Sequence, residues 1–221
     1  VLVTGAASGI GRALSAALGR EGAVLGLLDR NAEGLTTLAG ELQAAGVHCA
    51  LAEADVRQRE GIREAIHGLV RQLGPVDVLV ACAGITGATL LSDLAIEETE
   101  AIVQVNLLGT AYCIDAVLPA MLARGSGHIV GIGSLAGCRG MAYSAAYSAS
   151  KAGVAMYLES LRPALRRRGI YVTTVLPGFV RTPLMERAKV QPPVAMMPPE
   201  RAAGYILKAI RQRNRVYAFP W

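Results

Sequence analysis

The chain has 221 residues, of which 52% are hydrophobic and 18% are charged, and its net charge is +5. A chain this apolar buries enough surface to offset its ordering entropy, so intrinsic disorder is excluded. The length suits one compact domain with a single core. Apolar runs such as 23–28 and 76–83 fall short of the ~18 residues that cross a bilayer, so we expect no transmembrane segment.

Cysteine and charge patterns bear on compartment and partners. The four cysteines have no C-x-x-C spacing and lie in apolar or glycine-rich segments, which predicts free thiols in a reducing, cytoplasmic compartment. The densest basic groups, 166–168 and 211–215, fall at the ends of predicted helices, where arginine stabilises the helix dipole. We therefore expect no nucleic-acid partner.

Strand-like runs alternate with helix-period segments from end to end. The predicted strands are 1–4, 23–29, 47–55, 76–81, 127–134, 171–176 and 215–219, and the predicted helices are 9–21, 32–45, 58–73, 96–123, 143–168 and 200–212. Apolar strands separated by helices predict an α/β fold, a doubly wound Rossmann-type parallel sheet of about seven strands with helices on both faces. We interpret 1–221 as a single domain with both termini truncated, because the chain starts and stops at strands without an initial Met.

One stretch, 183–199, lacks any regular period. It holds five prolines and three methionines. Long irregular loops in compact domains are often functional, so we predict a lid over the substrate.

A glycine-rich turn joins the first strand to the first helix. In the run TGAASGIG, Gly5, Gly9 and Gly11 have the spacing G-x-x-x-G-x-G, and Ser8 and Ile10 lie between them. Such glycines let backbone N–H groups at a helix N-terminus approach a pyrophosphate. The alternative is an ordinary glycine-rich turn.

An acidic residue ends the second strand. Asp29 follows Gly11 by 18 residues, where a carboxylate would bind the ribose hydroxyls of an adenosine and repel a 2′-phosphate. The neighbouring Arg30 would favour that phosphate. We predict NAD as the preferred cofactor, with NADP as the alternative. Asp29 could also merely cap the next helix.

Weaker signals follow the third and fourth strands. Asp55 and Val56 would contact the adenine, and Ala83 with Gly84 would let the chain pass the cofactor, although a strand-end Asp is as often a turn residue. The three histidines, His48, His67 and His128, have no metal-ligand spacing, so we predict structural or surface roles and no metal.

The most specific constellation combines Ser134, Tyr147 and Lys151. Tyr147 and Lys151 are four residues apart on one helix face, so the ammonium would stabilise a phenolate and lower the tyrosine pKa. Ser134, at the end of the fifth strand, would donate a hydrogen bond at the same point. The pattern predicts that the tyrosine acts as a general acid or base.

These residues together resemble the short-chain dehydrogenase/reductase family over the whole chain. The resemblance rests on ordered motifs: TGAASGIG, Asp29, Asp55-Val56, CAG at 82–84, Asn106 in VNLLG, Ser134, YSASK at 147–151 and PGFVRT at 177–182.

The resemblance implies an NAD(P)-dependent oxidoreductase. Tyr147 would be the catalytic acid or base, Lys151 would lower its pKa and bind the nicotinamide ribose, Ser134 would position the substrate oxygen, and Asn106 would support a proton-relay water. Thr182 would bind the carboxamide, and Pro177, Gly178 and Val180 belong to the same cofactor-binding segment. One departure is Cys82, where the family has an asparagine that bonds between strands, which puts local sheet stability in doubt.

Two other functions stay open. One is an NADPH-dependent 3-oxoacyl carrier-protein reductase, whose acidic partner the +5 charge would permit. The other is a regulatory protein that senses nucleotides without turnover, which the intact catalytic residues argue against.

Substrate and assembly are predicted from apolar residues. Those after Ser134 (Leu135, Ala136, Gly137, Cys138, Met141, Ala142) and those of the lid (Leu184, Met185, Val194, Met196, Met197) predict an apolar alcohol or ketone. The two long helices carry apolar residues on several faces (Leu107, Leu108, Tyr112, Ile114, Ala152, Val154, Met156, Tyr157, Leu158), which predicts a homodimer or homotetramer.

Overall fold

Strands and helices alternate along the chain as the sequence predicts. The computed structural model describes residues 1–90, 92, 94–187 and 195–220, with the side chains of 186 and 187 outside that description. The strands are β1 (Leu2–Thr4), β2 (Leu25–Asp29), β3 (Cys49–Glu53), β4 (Val78–Ala81), β5 (Gly127–Ile132), β6 (Ile170–Pro177) and β7 (Val216–Phe219). The helices are α1 (Gly9–Arg20), α2 (Ala32–Ala44), α3 (Arg59–Leu73), α4 (Ile96–Val103), α5 (Gly109–Arg124), α6 (Ala145–Arg167), α7 (Pro183–Arg187) and α8 (Pro199–Gln212).

The strands form one parallel sheet in the order β3-β2-β1-β4-β5-β6-β7. The strand order reverses between β1 and β4. In an open parallel sheet, the crevice beyond the carboxyl ends of the strands at this switch point is the usual ligand site. The α/β, Rossmann-type prediction of a seven-stranded sheet is confirmed.

Helices cover both faces of the sheet, and each face has its own apolar core. On one face α1, α2 and α8 supply buried residues such as Leu14, Leu35 and Ile206. On the other face α3, α5 and α6 supply residues such as Ile66 and Val154. The strands are buried between these two layers, which explains why they read as uninterrupted apolar runs.

Two predicted segments differ from the structure. The helix predicted over 96–123 contains a π-helical turn at Gln104–Leu108, which its regular sequence period does not indicate. The predicted lid begins as the short helix α7, and its later part returns to the domain through a bridge between Val180 and Met197. Residues 188–194 of the predicted lid lie outside the described residues.

The continuous helix Ile96–Arg124 is long and apolar enough to cross a membrane by length and composition alone. Core helices of folded domains meet the same criterion, so the described residues contain no clear transmembrane segment, as expected. Here the helix packs against α3 and α6, as the core helix of a folded domain does, and the π turn within it reaches the candidate site.

A buried histidine lies at the end of the sheet opposite the switch point. His128 Nε2 is 2.8 Å from the hydroxyl oxygen of Thr173, and its ring meets the edge of Tyr171. The guanidinium of Arg213 lies 4.1 Å from the Tyr171 ring centroid. Burial, with the charge of Arg213 adding to it, lowers the pKa of His128 to about 4, whereas His48 and His67 are exposed.

We predict that acid destabilises the fold through His128. The folded pKa of about 4 lies below the ordinary 6.5, so the unfolded chain takes up the proton first and stability falls as pH drops from about 6.5 to about 4. Urea unfolding at pH 7 and pH 4.5 should show a loss about 2 kcal/mol larger in the unaltered chain than in His128→Gln. His67→Gln, which alters an exposed histidine, should behave like the unaltered chain. Equal losses in all three would contradict the prediction.

Candidate active site

The glycine-rich turn after β1 forms a cradle at the N-terminus of α1. Gly5 and Gly9 have φ angles of +69° and +50°, which favour glycine. A Cβ on Gly11 would collide with the carbonyl oxygen of Gly5, and one on Gly9 would lie 2.9 Å from Cγ2 of Thr182. The first N–H groups of α1 have no acceptor within the helix, and the Ser8 side chain does not cap them. Uncapped N–H groups at a helix N-terminus, in a turn without side chains, suit the binding of a pyrophosphate.

Asp29 connects this cradle to the end of β2. One carboxylate oxygen accepts a hydrogen bond from the N–H of Ala7 at 3.0 Å, and the other accepts one from the N–H of Asn31 at 3.0 Å. The cap on α2 comes instead from the Asn31 side chain, which accepts from the N–H of Gly34. Asp29 therefore orders the cradle and is not the cap of α2, while Arg30 beside it is exposed.

The predicted site residues line one cavity of about 320 Å³. Every predicted cofactor-binding and catalytic residue lines it except Asn106. The lining also includes residues that the motifs did not indicate, among them Ile85, Thr86 and Val105. Their contribution depends on the path of the chain after β4, for which the sequence gives no periodic signal.

Ser134 and Tyr147 meet at the floor of this cavity. Ser134 Oγ donates to the carbonyl of Pro177 at 3.5 Å and accepts from the N–H of Ala136 at 3.1 Å. Burial raises the pKa of Tyr147, and the nearby Ser134 hydroxyl opposes that rise. Tyr147 is therefore a neutral phenol at neutral pH.

Lys151 is buried beside the Tyr147 ring and is bound to the backbone. Its Nζ lies 5.8 Å from the centroid of the Tyr147 ring and donates a hydrogen bond to the carbonyl of Ile132 at 2.8 Å. Burial lowers the pKa of Lys151 to about 8. The lowering of the Tyr147 pKa by Lys151, which the i, i+4 spacing suggests, stays a prediction.

Asn106 supports the site from behind the cavity wall. It is fully buried in the π turn, and its Oδ1 accepts from the N–H of Ile85 at 2.8 Å while its Nδ2 donates to the carbonyl of Ile85 at 3.0 Å. Nδ2 also donates to Ser150 Oγ at 2.9 Å, and Ser150 donates to the carbonyl of Tyr147 at 2.8 Å. Asn106 thereby connects the segment after β4 to the helix that carries Tyr147.

Cys82 stands where the family has an asparagine, and Thr4 provides a connection at this point. The Thr4 hydroxyl oxygen accepts hydrogen bonds from the N–H groups of Cys82 at 3.1 Å and Ala83 at 3.3 Å. Burial raises the pKa of the Cys82 thiol to about 11, so it stays neutral. These bonds link the ends of β1 and β4 without an amide side chain at position 82.

Most of the predicted substrate-pocket residues that the structure describes do not line this cavity, namely Leu135, Ala136, Gly137, Cys138, Met141, Ala142 and Met196. Leu184 and Met185 of α7 line the cavity. Met197 does not, because it is buried in the core with Val180, which corrects its predicted place in the substrate pocket. Val194 lies outside the described residues.

Comparison with known proteins gives the family. A family model described as short chain dehydrogenase matches residues 1–192. An uncharacterized oxidoreductase of Myxococcus xanthus is 40% identical over 220 residues, which cover 100% of this chain and 87% of the relative. A putative ketoacyl reductase of Streptomyces coelicolor is 43% identical over 185 residues, covering 83% of this chain and 71% of the relative.

A solved structure is also similar. The crystal structure of an actinorhodin polyketide ketoreductase variant with NADPH has a TM-score of 0.90 and 34% identity, covering 98% of this chain and 94% of that one. The chain therefore belongs to the short-chain dehydrogenase family. It is an NAD(P)-dependent oxidoreductase, as the motifs predict.

Proposed function

We propose that this enzyme transfers a hydride between NAD and an apolar alcohol or ketone, with Tyr147 as the acid/base. The observation that carries the proposal is that Ser134 and Tyr147 line the same cavity as the helix N-terminus and Asp29, with the Ser134 hydroxyl close enough to Tyr147 to influence its pKa. The cradle of glycines, which side chains would fill, fits a dinucleotide. When bound, the nicotinamide supplies or accepts the hydride.

The roles of the chain's own groups follow from their protonation. The neutral Tyr147 phenol donates its proton to a substrate oxygen that Ser134 polarises, which is the reductive direction. In oxidation the tyrosine must first lose its proton, which its raised pKa disfavours at neutral pH. Lys151, whose pKa burial lowers to about 8, would bind the nicotinamide ribose.

We predict that Tyr147→Phe removes turnover. The variant keeps the ring but lacks the transferable proton, so the rate should fall by at least roughly a hundredfold while the cofactor Kd stays nearly unchanged. The matched control is Tyr205→Phe, which alters a tyrosine that stacks on Phe219 and lies outside the residues that line the cavity. In the unaltered enzyme, oxidation should accelerate as pH rises above neutrality and reduction should not. Substantial turnover by Tyr147→Phe would remove the tyrosine from the acid/base role.

Preference for NAD rests on the Asp29 carboxylate, which lines the cavity and would repel a 2′-phosphate. We predict that Asp29→Asn lowers the Kd for NADP relative to NAD by roughly tenfold, because the charge is lost while the shape is retained. Glu53→Gln removes an exposed carboxylate at the register partner on β3 and should leave the ratio unchanged. Calorimetric titration measures the Kd for NAD and for NADP in each variant. Tighter binding of NADP by the unaltered chain would overturn the preference.

Apolar side chains around the cavity support the substrate class. Leu90 and Tyr143 are exposed, and the N–H of Thr89 donates to the carbonyl of Tyr143 at 2.8 Å, which brings their segments together. Leu184 and Met185 line the cavity itself and make one side of it apolar. Across a panel from sugars and short hydroxy acids to cyclic and aromatic ketones, kcat/KM should rise with apolar bulk. A preference for the sugars would contradict this proposal.

A second candidate is an NADPH-dependent 3-oxoacyl carrier-protein reductase. It is favoured by the likeness to a putative ketoacyl reductase and to a polyketide ketoreductase with NADPH. The same panel, extended with a carrier-bound and a free 3-oxoacyl thioester and run with both cofactors, separates the two candidates.

We also propose a homodimer or homotetramer. Of the apolar residues on the long helices, Ile114, Val154 and Leu158 are buried within the chain and do not support assembly. The proposal rests on Leu108, Met156 and Tyr157, whose exposed fractions are 39%, 62% and 37%. Light scattering at micromolar concentration should give a multiple of the chain mass, and Met156→Glu should lower it. A monomer would refute the assembly.

A cytoplasmic location is proposed on the state of the thiols. All four cysteines are free, and Cys49 and Cys113 are buried. Unpaired thiols of this kind are typical of a reducing compartment.

A further inference from the structure

A second arginine lies at the edge of the cavity where the cofactor ribose is proposed to bind. The ends of β2 and β3 adjoin there, since the N–H of Ala54 donates to the carbonyl of Asp29 at 2.9 Å. Asp29, Arg30 and Asp55 all line the cavity at this edge. We call these three residues, together with Arg57, the ribose edge.

Asp55 accepts several hydrogen bonds from Arg57. Arg57 Nε donates to both carboxylate oxygens at 3.0 Å, and Nη2 donates to Oδ2 at 2.6 Å. The backbone N–H of Arg57 donates to Oδ1 at 2.9 Å. The Asp55 side chain is only 17% exposed, against 41% for Arg57. The more buried Asp55 therefore fixes Arg57, and the guanidinium of Arg57 lies near the surface.

The charges of the ribose edge act on one another. Hydrogen bonds from Arg57 hold the pKa of Asp55 below its ordinary value despite burial, and the charge of Arg30 lowers this pKa further. Both arginines are thus close enough to influence the same carboxylate. Arg30 forms no ion pair within 4.0 Å among the described residues, whereas Arg57 is already engaged.

We propose that Asp55 sets cofactor preference by withholding Arg57 from a 2′-phosphate. This inference rests on the proposed binding of a nicotinamide dinucleotide in the cavity. While Asp55 is charged and paired, a 2′-phosphate meets Asp29 with Arg30 as its only available cation at this edge of the described chain. When the Asp55 charge is removed, the planar guanidinium of Arg57 becomes a second donor, and its geometry suits a phosphate. Arg57 is therefore a latent specificity determinant.

The test is a double-mutant comparison of binding, measured by calorimetric titration with NAD and with NADP. In Asp55→Asn, the Kd for NADP relative to NAD should fall roughly fivefold. Any contact of Asp55 that both cofactors share cancels in this ratio. Arg57→Gln alone should leave the ratio unchanged, because Arg57 is engaged in the unaltered chain. The double variant Asp55→Asn with Arg57→Gln should return the ratio to that of the unaltered chain.

A matched control separates this effect from a change in net charge. Asp115→Asn frees Arg59 from an ion pair of 2.9 Å, outside the residues that line the cofactor cavity. It adds the same charge and should leave the ratio unchanged.

Two outcomes would overturn the proposal: an equal shift in Asp55→Asn with or without Arg57, or a loss of NADP affinity in Arg57→Gln alone. Preference of the unaltered chain for NADP would instead contradict the proposed NAD specificity, and the comparison of variants would still decide the role of Asp55. If neither dinucleotide binds, the proposed function and this inference both fail.

Discussion

The site depends on how closely the chain leaving β1 approaches the chain leaving β4. Gly5 allows that approach, since a Cβ there would lie 2.8 Å from the Cα of Ala83. Thr4 fixes it, because its hydroxyl oxygen accepts the N–H groups of Cys82 and Ala83. The crevice at the switch point of the sheet follows from this contact, and the N-terminus of α1 opens into it.

Burial governs the electrostatics at the floor of that crevice. It raises the pKa of Tyr147 and lowers the pKa of Lys151 to about 8, so it favours the neutral form of each. Lys151 donates a hydrogen bond to the carbonyl of Ile132, which holds its ammonium group in place. The nearby Ser134 hydroxyl opposes the rise of the Tyr147 pKa that burial causes.

The π turn lines the cavity through Val105 and supports it from behind through Asn106. It places Asn106 inside the domain, where its amide satisfies both backbone groups of Ile85 and reaches Ser150. A buried amide with all of these partners fixes the segment after β4 against α6. The structure thus shows a positioning arrangement for a residue that the resemblance associates with a proton relay.

Sequence alone determined the features that repeat locally or sit at fixed spacings. Alternating apolar runs predicted the sheet and its helices, and the spacings of Gly5, Gly9 and Gly11 and of Tyr147 and Lys151 predicted the cofactor turn and the catalytic helix. Tertiary structure decided the π turn, the burial of Met197 and the contact of Lys151 with Ile132. These depend on contacts such as that between Asn106 and Ser150, which are 44 residues apart. A local period reports which face of an element is apolar, but only packing decides which distant backbone group a polar side chain reaches.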